Sequence, residues 1–364
     1  MSDLTSIGAN AVQVYQRALG TVSTNIANLD NEAYVRRSTD VAESAPKNVA
    51  GNFLGTGSFF DGVRREYDAF LEASVRDSAG ALGAEQPMVK YAGRVVDSIS
   101  NQENNLSTGF EAFFVATRGL TADPDSSTLR SRVMLEASAL VSQFRDLDGF
   151  VQDADRESAD ELDEVISEVN GLAAQLSGVN AELNKQIRLK KQSPQLLDQR
   201  DDILRKLAEL VPTEVQIDKK GLATVSLNGT STSGFLVRGI EHATASLQVG
   251  DDGIERLALV LDTDEEVLAR TDTGKLGGIL EFRRTTLQTA YQDIDRLASS
   301  FVIAVNDVQA MGLDADGDIG EDLFAFNLEL DVEQPANIQK VTPTAEIVDG
   351  SQLQLNPLEA IFNE

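Results

Sequence analysis

The chain has 364 residues, of which 41% are hydrophobic and 25% charged, so it can form two or three domains with packed cores. Its formal net charge of −28 argues against nucleic acid and anionic membranes as partners, because both are bound through Lys and Arg. The absence of Cys and the presence of one His, His242, exclude disulfides, Cys nucleophiles, thiolate metal sites and zinc sites built on several His.

The first residues predict a soluble amphipathic helix and neither a cleaved signal peptide nor a membrane span. No basic segment followed by an apolar run is present, and no apolar run in the chain approaches 18 residues. A narrow stripe of small and apolar residues recurs at steps of 3 and 4 over residues 4–28. A stripe this narrow is marginal as an isolated helix, so we expect residues 1–30 to lack a partner within the chain and to be mobile in the isolated subunit.

The next part of the chain predicts an irregular connection followed by short helices. Pro46 and several Gly interrupt any period over residues 38–63. Helices are predicted from about Tyr67 to Ala84, from Pro87 onward, and around Phe110 to Leu120.

The longest periodic pattern predicts one helix over residues 128–190. Its apolar positions follow steps of 3 or 4 from Val133 to Ile187, and the other faces are rich in acidic and polar residues. Such a helix would be about 90 Å long, which favours a rod over a globule.

After residue 190, the spacing of the apolar residues changes twice along the chain. Ser193 and Pro194 predict a helix start, and alternation with turn signals over residues 213–262 predicts antiparallel strands. A second ladder at steps of 4 and 3, from Leu276 to Met311, predicts a helix that pairs antiparallel with the long one.

Together these elements predict a mainly α fold: an elongated antiparallel helical bundle, or rod, with a coiled-coil N-terminal segment and small antiparallel β excursions. The predicted divisions are residues 1–50 for the N-terminal helix and its irregular connection, 51–212 with 265–326 for the bundle, 213–264 for the β excursion, and 327–364 for the start of a β-rich outer domain that looks truncated.

No motif for catalysis or cofactor binding is recognisable, so we predict that the chain is not an enzyme and has no cofactor. The acidic run at Asp314–Asp322 has Ile319 where a calcium loop of the EF-hand type needs Gly, and Ala325 where it needs Glu. His242 lies between predicted strands, where a surface or strand-end His is the simpler interpretation.

One segment is specific for a family. Residues 18–37 read ALGTVSTNIANLDNEAYVRR, which resembles the N-terminal signature of flagellar axial proteins: a short helix, then Ser-x-Asn-Ile-Ala-Asn, then an aromatic. Ala33 stands where the family usually has Gly before the aromatic. Residues 55–57, 62–71, 196–204 and 276–280, with the later pieces Val305-Asn306 and Gly312-Leu313-Asp314, resemble blocks of the hook-associated members in the same order.

The resemblance implies a structural subunit that polymerises in a tubular junction between hook and filament. It implies as partners the hook protein, a second junction protein, the flagellar export apparatus and an export chaperone, and a location outside the cell reached without a cleaved signal. Axial proteins close with a C-terminal helix that pairs with the N-terminal one. No such helix precedes Glu364, so we expect a segment that is missing or supplied elsewhere. The residues predicted to form the assembly interface are Leu4, Ile7, Ala11, Val14, Ala18, Asn25, Ile26, Asn28 and Tyr34.

Three other interpretations remain open at this point. The chain could be another axial subunit of rod or hook, although those are rich in β structure after the N-terminal helix. It could be a cytoplasmic helical scaffold, which would have no reason to contain the signature at Ser23–Tyr34. The N-terminal stripe could also pack on the chain's own bundle and not on a neighbour.

Overall fold

A computed structural model describes residues 2–49, 51–100, 105–187, 192–227, 234–249, 255–260, 266–269, 273–312 and 319–324. The predicted outer domain at 327–364 and most of the acidic run at 314–322 lie outside these residues. The chain forms two compact units, each built from several segments. Unit 1 contains Met1–Leu82, Ile166–Ser246 and Leu257–Arg270, and unit 2 contains Gly83–Val165, Leu247–Arg256 and Thr271–Glu364.

The fold is mainly helical, as predicted. The helices are α1 (Ser2–Ala27), α2 (Ala69–Ser100), α3 (Leu106–Ala122), α4 (Ser127–Gln186), α5 (Pro194–Leu210), α6 (Gly274–Glu281) and α7 (Gln288–Ala310), with a π-helical turn (Phe282–Leu287) between the last two. Side chains fix several of the starts. The Asp68 carboxylate accepts from the backbone N–H groups of Phe70 and Leu71, and the Asn105 side chain accepts from Ser107 N–H.

The predicted break at Pro87 is wrong, because α2 continues through it. Pro87 is buried within the helix. A proline in a helix removes one backbone hydrogen bond, and tertiary burial of its ring on this face outweighs that local preference.

The long ladder of α4 is confirmed as one continuous helix of 60 residues, which Gly149, Gly171 and Gly178 do not interrupt. Its predicted apolar positions from Val133 to Ile187 are all buried except Leu147 and Ile187, which are half-buried.

Eleven short strands are described, all in antiparallel pairs where the pairing is given. β1 (Arg37–Glu43) pairs with β4 (Ser58–Arg65), and β2 (Lys47–Val49) pairs with β3 (Asn52–Leu54) between them. The irregular connection predicted for 38–63 is therefore wrong: it is a long hairpin, in which Gly51 lies at the turn, Gly55 and Gly57 lie between strands and Gly62 lies within β4. Seven strands follow α5: β5 (Glu214–Ile217), β6 (Ala223–Ser226), β7 (Phe235–Arg238), β8 (Glu241–His242), β9 (Thr244–Val249), β10 (Glu255–Val260) and β11 (Glu266–Ala269). They form a four-stranded sheet, β5-β6-β7-β8, and a three-stranded sheet, β11-β10-β9, close to the predicted excursion.

In unit 1, two asparagines of α4 fasten strands to the helix. The Asn180 side chain donates to the carbonyls of Ala223 and Gly239, at 2.8 and 2.6 Å, and accepts from Ala223 N–H at 3.0 Å. Asn170 makes the same two-way contact with Ala245, at 2.9 and 2.7 Å. Each amide takes the place of a neighbouring strand and satisfies backbone groups that burial would otherwise leave unpaired.

In unit 2, α7 runs antiparallel to α4, as predicted. Arg283, in the π-helical turn before α7, contacts Asp155, whereas Phe301 and Val302 of α7 line a small apolar cavity with Phe144 on the earlier part of α4. The predicted register fails in the second half of α7. Leu297 and Met311 are 44% and 79% exposed, and Ala298, Val302, Val305 and Gln309 are buried in place of the predicted positions. A straight helix has 3.6 residues per turn, so along α7 the buried face drifts away from a strict seven-residue repeat.

A carboxylate ties three helices of unit 2 together. Glu161 of α4 accepts from Lys90 and Lys275, each at 2.7 Å, and from the Tyr91 hydroxyl. Burial alone would raise the pKa of Glu161, but the hydrogen bonds from Lys275, Lys90 and Tyr91 outweigh it and lower the pKa to about 2. Beside this group, α6 lies so close to α2 that a Cβ at Gly278 would be 2.1 Å from the carbonyl oxygen of Ala84.

Candidate assembly site

The predicted stripe on α1 is covered by the chain's own hairpin. Positions Ile7, Ala11, Val14, Ala18, Thr21, Asn25 and Asn28 are buried or half-buried, and we call them the inner stripe. They face β1 and β4. Val14 is only 6% exposed. The expectation that this stripe has no partner within the chain is therefore wrong: its partner is a β-hairpin and not a helix.

Small residues let the helix and hairpin approach closely. Gly57 has a φ of +92°, and a Cβ there would lie 3.2 Å from the Ile7 side chain, so a glycine leaves the space that Ile7 fills. Further along α1, the Arg17 guanidinium lies 4.9 Å from the centre of the Phe60 ring, within range of a cation–π contact.

The signature asparagine joins α1 to the first strand of the hairpin. The Asn25 side chain donates to the Arg37 carbonyl at 2.8 Å and accepts from Arg37 N–H at 3.0 Å. It also accepts from the Tyr34 hydroxyl at 2.7 Å, and the Arg37 guanidinium lies 4.6 Å from the centre of the Tyr34 ring. The spacing from Asn25 to Tyr34 thus fixes how the chain turns from helix to strand.

Asn28 has a more local role. Its side chain donates to the Thr24 carbonyl at 2.9 Å and accepts from Asn31 at 3.4 Å, within the turn after the helix. The next contact, Ala33 N–H to the Asn31 side chain at 3.1 Å, continues this turn.

The opposite face of α1 presents a second apolar stripe, which sequence reasoning missed. Its members are Val12, Tyr15, Leu19, Val22, Ile26 and Leu29, between 51% and 81% exposed, and we call them the outer stripe. They also recur at steps of 3 and 4, so the periodicity could have revealed them once the first register was set aside. Ile26, which was predicted as part of the assembly interface, belongs to the outer stripe. The side chain of Leu4 lies outside the described residues.

A buried group of charges anchors the hairpin to α5. Asp198 accepts from Arg37 at 2.8 Å and from Arg65 at 2.8 Å, and Arg65 also donates to Asp201 at 2.8 Å. Arg200 in turn donates to Asp201 at 2.6 Å. The five side chains are between 1% and 10% exposed. Arg37 begins β1 and Arg65 ends β4, so both ends of the hairpin are held at one place.

The first segment of unit 1, Met1–Leu82, differs in charge from the rest of the chain. It has ten acidic and seven basic residues, a net charge of −3, whereas residues 83–364 have 49 acidic and 24 basic residues, a net charge of −25. The same segment holds 15 of the 25 large apolar side chains that are exposed among the described residues. We call it the N-terminal segment. Exposed apolar side chains and a low net charge thus occur together in this segment, a combination that is typical of interaction surfaces.

The described residues show little that suggests catalysis or metal binding. The Ser177 hydroxyl lies 3.2 Å from Nδ1 of His242, but it donates its proton to the Ala174 carbonyl, and no carboxylate contact to His242 is described. In the same part of the chain, no group of three or more His, Asp or Glu side chains is placed to hold a metal ion. No helix within the described ranges is long and apolar enough to cross a membrane.

Comparison with known proteins agrees with the predicted family. Residues 92–324 match the family described as "Flagellar hook-associated protein FlgK helical domain". The whole chain is 27% identical to flagellar hook-associated protein 1 of Salmonella typhimurium, covering 66% of that protein, and 27% identical to the Escherichia coli protein of the same name, covering 67%. The chain thus spans about two thirds of the length of these relatives.

A solved structure has the same kind of fold. It is the flagellar hook junction protein FlgK of Burkholderia pseudomallei, which matches with a TM-score of 0.59 and 22% identity over 70% of this chain and 46% of the other. This likeness supports the mainly helical fold described above.

Proposed function

Because the chain belongs to the FlgK family of flagellar hook-associated proteins, we propose that it is a structural subunit of the bacterial flagellum that polymerises at the junction between hook and filament. The relatives are named as flagellar hook-associated proteins, and a structural role needs no catalytic group or cofactor. We infer that the chain is not an enzyme.

One observation supports the proposal most directly: exposed apolar side chains are concentrated in the N-terminal segment, where net charge is low. Copies with a net charge of −28 repel one another. Contact through a segment of net charge −3 avoids most of that repulsion, while residues 83–364 keep the remaining charge. A subunit that must both polymerise and stay soluble beforehand requires such a division.

The outer stripe is the part of this surface that we assign to assembly. The hairpin already covers the inner stripe, so α1 has one apolar face left for another helix of the assembled tube. Its six large side chains each contribute about 1.5–3 kcal/mol when fully buried, a substantial gain even after the ordering of the helix is included.

The proposed partners follow from the family. They are further copies of this chain, the hook protein and a second junction protein, with the flagellar export apparatus and an export chaperone during delivery. The proposed location is the extracellular flagellum, reached without a cleaved signal peptide.

A charge placed in the outer stripe tests the proposal. Leu19→Asp should prevent incorporation at the hook tip and abolish motility in cells that lack their own junction protein, because it buries an unpaired charge in the tube. Ile240→Asp is the matched control, since Ile240 is 57% exposed in the loop between β7 and β8 and Leu19 is 67% exposed on α1. Urea unfolding should show both variants folded.

The outcome is clear in either direction. Motility that is lost with Leu19→Asp and kept with Ile240→Asp supports assembly through the outer stripe. Normal motility and normal filaments with Leu19→Asp would refute it.

A further inference from the structure

The tip of the long hairpin is an exposed apolar element in its own right. β2 and β3 pair only with each other among the described strands, with Lys47 opposite Leu54 and Asn48 opposite Phe53. Directly opposed residues share a face, so Phe53 and Leu54 lie on opposite faces of this small ribbon. Phe53 is 73% exposed and Leu54 is 55% exposed, so neither face is covered by the described part of the chain.

Hydrogen bonds hold the described residues at both ends of the tip in place. Ser44 N–H donates to the Gly57 carbonyl at 2.8 Å, and the Thr56 hydroxyl donates to the Ala45 carbonyl at 2.8 Å, which closes the ribbon where it leaves β1 and β4. At the other end, Gly51 N–H donates to the Asn48 side chain at 3.0 Å, and Gly51 has a φ of +87°. A two-stranded ribbon with both faces in water is marginally stable, so this shape gains stability when something covers it.

The charge of the tip indicates what covers it. Residues 44–57 contain no acidic residue and one basic residue, Lys47, in a chain whose net charge is −28. An apolar ribbon without acidic groups fits an acidic partner surface with exposed apolar side chains. The chain itself offers such a surface in residues 83–364, which have a net charge of −25 and further exposed apolar residues such as Leu135 and Ile303.

We propose that the tip, residues 44–57, docks on the acidic helical surface of a second copy of this chain. The inference rests on the proposed function, since it adds a copy-to-copy contact to a subunit that polymerises. A ribbon of this size covers much less than the roughly 1,000 Å² of a stable interface, so it acts together with the contacts of the outer stripe and not alone.

Photo-crosslinking in cells tests this contact. Two differently tagged copies are expressed in cells that assemble flagella, both with a benzoylphenylalanine at position 53. After irradiation, one tag is used for capture and the other for detection. A crosslinked product that contains both tags is expected at position 53. The same analogue at Ile240, which is 57% exposed in the loop between β7 and β8, should give no such product.

The analogue at Leu19 separates failure of this inference from failure of the proposed function. A product at position 19 without one at position 53 overturns the docking of the tip and leaves polymerisation intact. A product at position 53 that contains another protein or lipid and not the second tag also overturns it. If neither position 19 nor position 53 gives a product with both tags, the proposed polymerisation fails as well.

A substitution gives a second readout. Phe53→Ser with Leu54→Ser should reduce the fraction of assembled protein by about tenfold or more at limiting expression, because two large apolar side chains no longer become buried. The change is at exposed positions, so the urea midpoint of the isolated chain should stay the same. Assembly at the wild-type level would contradict the proposal.

Discussion

Removing Asp198 should loosen the hairpin from α5, because two buried arginines depend on that carboxylate. Asp198 is 9% exposed in its side chain and accepts from Arg37 and Arg65, whose side chains are 10% and 7% exposed. Breaking a buried ion pair by removing one partner costs about 3–5 kcal/mol, since the charge left behind has no compensation. Arg65 keeps its contact with Asp201, so we expect Asp198→Ala to cost about 3 kcal/mol.

Urea unfolding measures this cost, and hydrogen exchange locates it. Asp202→Ala is the matched control on the same helix, because Asp202 pairs with Lys206, whose side chain is 55% exposed, and such surface pairs contribute about 0.3–0.5 kcal/mol. The amides of β1 and β4 should exchange faster in Asp198→Ala and remain unchanged in Asp202→Ala. If the two variants were destabilised equally, the buried charges would not anchor the hairpin and the reasoning would fail.

Three further changes test the packing and the charges. Val14→Asp should speed hydrogen exchange in β1 and β4, because it buries an unpaired charge under the hairpin, whereas Val12→Asp on the exposed face should not. Equal exchange rates in the two variants would show that the inner stripe is mobile in the isolated subunit, as the sequence predicted. Glu161→Gln should lower the melting temperature at pH 7, because a carboxyl whose pKa is lowered by folding contributes stability only while it is ionised. The difference in melting temperature between the variant and the unchanged protein should disappear as pH falls from about 4.5 to about 2, and a difference that persists at pH 2 would contradict this. In urea unfolding, Gly278→Ala should lower the free energy of unfolding by about 1–3 kcal/mol because its Cβ would meet a backbone carbonyl, whereas Gly149→Ala, with nothing within 4 Å, should raise it by about 0.5–1 kcal/mol. Similar values for the two variants would refute the close approach of α6 and α2.

The helices could be predicted because each buries a continuous apolar face. The ladder of α4 needs no knowledge of its partners, since steps of 3 and 4 sustained along a 60-residue segment are typical of a long helix and incompatible with the two-residue period of a strand. The prediction failed at Pro87, where burial of the ring outweighs the local preference against proline, and in the second half of α7, where the 3.6-residue period of a straight helix departs from the seven-residue repeat.

The hairpin could not be predicted with the same ease, because its strands lack a clean alternation. β1 reads Arg-Ser-Thr-Asp-Val-Ala-Glu, and its pairing with β4 shifts register between Asp40 and Val41. The four glycines between positions 51 and 62 would be interpreted as a loop by any local rule, although Gly57 is where the fold needs the absence of a side chain.

Only part of the candidate site could be predicted from the sequence. The inner stripe and Asn25 follow from periodicity and from the family signature, but their partner does not, because the hairpin was not recognised. Asp198 and Asp201 lie in the segment where the sequence predicts a helix start and a family resemblance, and neither of these predicts an ion pair. Buried charges of this kind depend on Arg37 and Arg65, which are more than 130 positions away in the chain. No pattern local to α5 contains that information.

The hydrogen bonds by which Asn170 and Asn180 hold strands against α4 bear on the pH and salt conditions in which the protein can work. Asn170 and Asn180 hold the sheets through neutral amides, which neither gain nor lose a proton and whose contacts salt does not screen. Acid that protonates the carboxylates of the helices, or salt that screens them, therefore leaves these hydrogen bonds unchanged. In the extracellular flagellum that we propose as its location, hydrogen bonds of this type allow the strands to remain attached while the charge on the surface varies.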